Sequence, residues 1–62
     1  MFIACPVHSD LQDAEWYEDL YEAKENALEW SVELHGKDIV IYEAVDGKDG
    51  VYDFNKLCHI CA

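Results

Sequence analysis

Residues 13–36 read DAEWYEDLYEAKENALEWSVELHG, and two patterns interlock in them. Trp16, Leu20, Ala23, Ala27, Trp30 and Leu34 recur in steps of three and four, the spacing of the apolar stripe of an α-helix. Tyr17, Tyr21, Leu28 and Val32 widen one flank of that stripe. On the opposite side Glu15, Glu18, Glu22, Glu25, Glu29 and Glu33 fall within an arc of roughly 80° at 3.6 residues per turn. His35-Gly36 closes the segment, because glycine accepts the left-handed conformation of a helix C-terminus and a histidine in the last turn suits the helix dipole. The spacing therefore predicts one long amphipathic helix from about Asp13 to His35.

Upstream, Phe2 to Val7 is short and apolar and reads as a strand, with Pro6 marking an edge position or a strand end. Ser9 and Gln12 have the spacing of a capping box, so a helical turn is expected from about Asp10. Downstream, Asp38 to Val45 is rich in β-branched and aromatic residues and is the clearest strand. Asp46-Gly47-Lys48-Asp49-Gly50 is turn chemistry, and Val51 to Phe54 reads as the returning arm of a hairpin. After an Asn55-Lys56 turn, Leu57 to Ala62 reads as a short fourth strand or a tail. The expected fold class is α+β: a single domain over 1–62 in β-α-β-β order, with the long helix packed on a three- or four-stranded mixed sheet. A right-handed crossover would set the first two strands parallel.

The chain has 14 acidic residues against four lysines, no arginine and a formal charge of -10. Such a surface repels nucleic-acid backbones and anionic membranes and is drawn to basic protein grooves. At 52% hydrophobic residues the chain has the apolar content to form a core, so its acidity is not read as disorder. No apolar run approaches the length of a membrane span and no leader-like segment opens the chain, so a soluble, cytoplasmic protein is expected. Three cysteines, an odd number, do not form the framework of a small disulfide-stapled domain, and reduced thiols are expected.

The glutamate ridge is the strongest functional signal. Like charges one turn apart oppose helix formation by a few tenths of a kcal/mol per pair, and an ordinary solvated face would alternate Glu with Lys. Lys24 lies at an angle that leaves the ridge uninterrupted. Successive carboxylates rise about 4.5 to 6 Å along the axis, not far from the roughly 7 Å between phosphates along a strand. The expected function is a protein-binding inhibitor: Glu15, Glu18, Asp19, Glu22, Glu25, Glu29 and Glu33 enter a basic groove of a larger protein, a nucleic-acid-binding enzyme or complex. Trp16, Tyr17 and Tyr21 would anchor that contact. In size and charge the chain resembles the small phage-encoded inhibitors that mimic nucleic acid against restriction or CRISPR machinery. That resemblance implies a viral or mobile-element origin and action in the host cytoplasm.

The alternative is a small zinc-stapled interaction module. Cys5 and His8 form a C-x2-H pair and Cys58 and Cys61 a C-x2-C pair, together a tetrahedral set if the chain ends meet. Redox use of Cys58 and Cys61 is disfavoured, since no helix follows to lower a thiol pKa. His8, His35 and His59 fit no nucleophile or hydrolase spacing, and no enzyme activity or cofactor is expected. Self-association through an open sheet edge or the helix's aromatic flank is a third reading.

Overall fold

The computed structural model describes residues 1–9 and 13–62. Strand β1 spans Phe2–Pro6, β2 Glu15–Tyr17, helix α1 Leu20–Glu33, β3 Ile39–Asp46 and β4 Tyr52–Ile60, with a short 3-10 turn over Lys48–Gly50. Gln12, the second member of the expected capping box with Ser9, and the start of the helical turn expected from Asp10 lie outside the described residues.

The helix starts seven residues later than its periodicity predicts. Asp19 sits in extended geometry (φ -115, ψ 132) as the N-cap, and its carboxylate accepts a hydrogen bond from the Tyr21 amide at 3.1 Å. Asp19 and Glu22 have the cap-to-N3 spacing of a capping box. Upstream of the cap, Glu15-Trp16-Tyr17 pairs antiparallel with β1, opposite Ala4, Ile3 and Phe2. Aromatic residues favour a pleated, half-buried surface. The other end is a Schellman closure: the Gly36 amide donates to the Ser31 carbonyl at 2.8 Å and the His35 amide to the Val32 carbonyl at 3.1 Å. His35 occupies the left-handed position at φ 61, and Gly36 follows at φ 86.

The added strand changes the topology. Sheet order is β2-β1-β3-β4 with every neighbouring pair antiparallel, so the mixed sheet and the β-α-β-β order are corrected to an antiparallel sheet in β-β-α-β-β order. Because β2 reverses the chain before α1, the helix connects β2 to β3, which run parallel with β1 between them. Strand β1 is interior, yet Pro6 is harmless. Val7 donates to Asp38 and Ala44 to Met1, so the odd-numbered residues of β1 face β3. The ring nitrogen of Pro6 then faces β2, whose pairs end at Ala4. The expected break at Asn55-Lys56 is also corrected: Tyr52–Ile60 is one strand, and a register shift between Ile41 and Tyr42 replaces the turn.

The helix packs through its smallest residues. Ala23 and Ala27 are fully buried against Ala4, Ile39 and Ile41, with Phe2, Tyr17, Leu20, Trp30, Cys58 and Ile60 around them. Alternate residues Ile3, Cys5, Val40 and Ala44 point to the other face of the sheet and are also buried. Trp16, Tyr52 and Phe54 meet over that face: Trp16 lies 5.7 Å from Tyr52 and 6.2 Å from Phe54, centroid to centroid, in edge contacts. Trp16 pairs across from Ile3 and Phe54 from Ala44, so rings from the two outer strands shade the inner ones.

Ser31, the one buried polar residue among those described, joins three segments. Its hydroxyl donates to the Lys37 carbonyl at 2.7 Å and accepts from the Ala62 amide at 3.0 Å. The helix end, the α1–β3 loop and the residues after β4 are thereby tied at one point. In the β3–β4 turn, a side chain at Gly47 would collide with the Val51 carbonyl, whose hydrogen bond from the Gly47 amide closes the hairpin.

Candidate functional site

Four of the six ridge glutamates keep the arrangement their spacing implies. Glu22, Glu25, Glu29 and Glu33 are exposed on the outer face of α1, within roughly 80° of arc and over about 16 Å of axis. Lys24 does not interrupt them. It borders an open groove between α1 and β4 with Tyr21, Leu28 and Ile60. The last turn of α1 has no basic residue, so Glu33 stands unopposed at the negative end of the helix dipole.

The remaining acids reach the site by other routes. Glu15 projects from β2, and Glu18 lies exposed in the bend before the helix. Asp19 is the N-cap, with one carboxylate oxygen engaged by the helix itself. Glu15 nevertheless rejoins the ridge: it lines an open cavity of about 360 Å³ with Glu29 and Glu33, floored by Tyr17, Asn26 and Trp30. Burial pushes the Tyr17 hydroxyl pKa upward, and the charges of Glu15 and Glu22 push it further. One tyrosine thus feels an acid from β2 and an acid from α1. The acidic surface is a patch two elements wide rather than a single rod.

The aromatic anchor expected of Trp16, Tyr17 and Tyr21 is dispersed. Trp16 belongs to the cluster on the helix-free face of the sheet. Tyr17 packs between sheet and helix. Tyr21 lies 68% exposed on the β4 flank of α1, and its hydroxyl pKa is raised by a hydrogen bond to the Glu25 carboxylate. Of the three, only Tyr21 is both exposed and beside the ridge.

Cys5, His8, Cys58 and Cys61 are not brought together. Cys5 is buried on the helix-free face of β1, with its thiol 3.5 Å from the Pro6 carbonyl and 3.6 Å from that of Ser9. Cys58 packs on the helix side of β4, and β3 separates the two strands. His8 is exposed in the turn after β1 at φ 66. Among the described residues no group of three or more His, Cys, Asp or Glu side chains has the geometry to hold a metal ion.

Sequence reasoning missed a different trio. Asp38, just before β3, lies 3.8 Å from the Nδ1 of His59 and beside Cys61, whose thiol donates to the Gly36 carbonyl at 3.1 Å. The residue types are those of a thiol nucleophile, but their order is wrong. The carboxylate rather than the imidazole contacts the thiol, and that hydrogen bond raises the Cys61 pKa, suppressing the thiolate. Asp38 lies more than twenty residues from His59 and Cys61 in the chain, and the β3–β4 register brings them together.

No helix among the described residues is long and apolar enough to cross a membrane. The chain matches no protein-family model, no curated protein and no solved structure.

Proposed function

We propose that the protein is a non-catalytic binding protein whose acidic patch occupies a basic, nucleic-acid-binding groove of a larger protein and so blocks it. One observation carries the reading: Glu22, Glu25, Glu29 and Glu33 line the outer face of α1 with Glu15 beside them, and no basic side chain falls within the row. Inhibition of a host defence complex by a viral or mobile-element protein, acting in the host cytoplasm, is the version that the size and charge favour. The carboxylates would pair with arginine and lysine side chains in the groove, and the overall charge of -10 would speed encounter. Tyr21 adds an apolar contact at the edge of the row. The zinc-stapled alternative has no supporting geometry, since Cys5 and Cys58 lie on different strands and opposite faces of the sheet, with His8 in the turn after β1.

The test is capture of host proteins on the immobilised chain, followed by competition with single-stranded and duplex nucleic acid. A captured nucleic-acid-binding protein should be released by nucleic acid and by about 0.5 M salt. It should bind Glu22→Lys/Glu29→Lys at least about tenfold more weakly, a loss of about 1.4 kcal/mol. Binding that withstands salt, competitor and charge reversal would eliminate the acidic patch as the interface.

A further inference from the structure

We draw no further inference here: the strongest candidate, the exposed aromatic patch of Trp16, Tyr52 and Phe54 on the helix-free face of the sheet, is an apolar face, and nothing in the structure shows what covers it.

Discussion

Residues 15–18 and residues 22–33 are written in the same alphabet, glutamates alternating with aromatic and aliphatic residues, yet one segment is a strand and bend and the other a helix. The difference is a cap and a partner. Asp19 offers its carboxylate to the Tyr21 amide, which starts the helix, and β1 offers Phe2 to Ala4 as a pairing edge, which claims Glu15–Tyr17. Periodicity reports what a segment would bury as a helix. It does not report whether a neighbouring strand competes for the same residues.

The largest effect that sharpens this contrast is expected at Trp16. Trp16→Ala removes the ring that meets Tyr52 and Phe54 and should cost about 2 kcal/mol, less than for a buried tryptophan because Trp16 is half exposed. Chemical denaturation measures it. Partner capture should be unchanged, since Trp16 faces away from the ridge, and lost capture would restore Trp16 to the binding surface. Next is the cap. Asp19→Ala should cost about 1 kcal/mol in the same assay; an unchanged or higher stability would mean that the helix extends upstream into 15–18 once the cap is gone.

A smaller effect of opposite sign is expected at the far end. Glu33→Lys removes an acid from the last turn and pairs with Glu29 one turn earlier, so it should stabilise by about 0.5 kcal/mol at low salt and by less at high salt. The smallest effect is a pH dependence. Tyr17 and Tyr21 have hydroxyl pKa values raised above 10.0 in the fold. Above pH 10 the unfolded chain therefore loses these protons first, and stability falls as pH rises through the folded values. Tyr17→Phe should flatten part of that alkaline decline in a thermal melt series, and an unaltered slope would mean that neither burial nor the Glu15 and Glu22 charges act on the Tyr17 hydroxyl.

Much of this architecture was legible in the sequence. The core strand Ile39–Asp46 announced itself by its β-branched run, and the alternation of Ala23, Ala27 and the glutamates identified the buried and exposed faces of α1. The start of the helix was also written there, as Asp19 three residues before Glu22, but a continuous periodicity ran over it. Strand β2 had no such signal, because three residues are too few to show a period and their pairing partner lies eleven or more residues away. The continuity of β4 through Asn55-Lys56 was hidden for a related reason. Those residues resemble a turn, and pairing with Tyr42 and Glu43 keeps them extended. The convergence of Glu15 with Glu29 and Glu33 depends on β2 and could not be read before it.

Everything functional rests on the acidic patch being the surface that a partner touches. The most direct measurement is the amide chemical-shift footprint of the labelled chain with the protein it captures. Shifts should concentrate at Glu15, Glu22, Glu25, Glu29 and Glu33 and fade together as salt is raised. A footprint centred on Tyr52–Ile60 or on the Trp16 face, with the outer face of α1 unmoved, would contradict this reading.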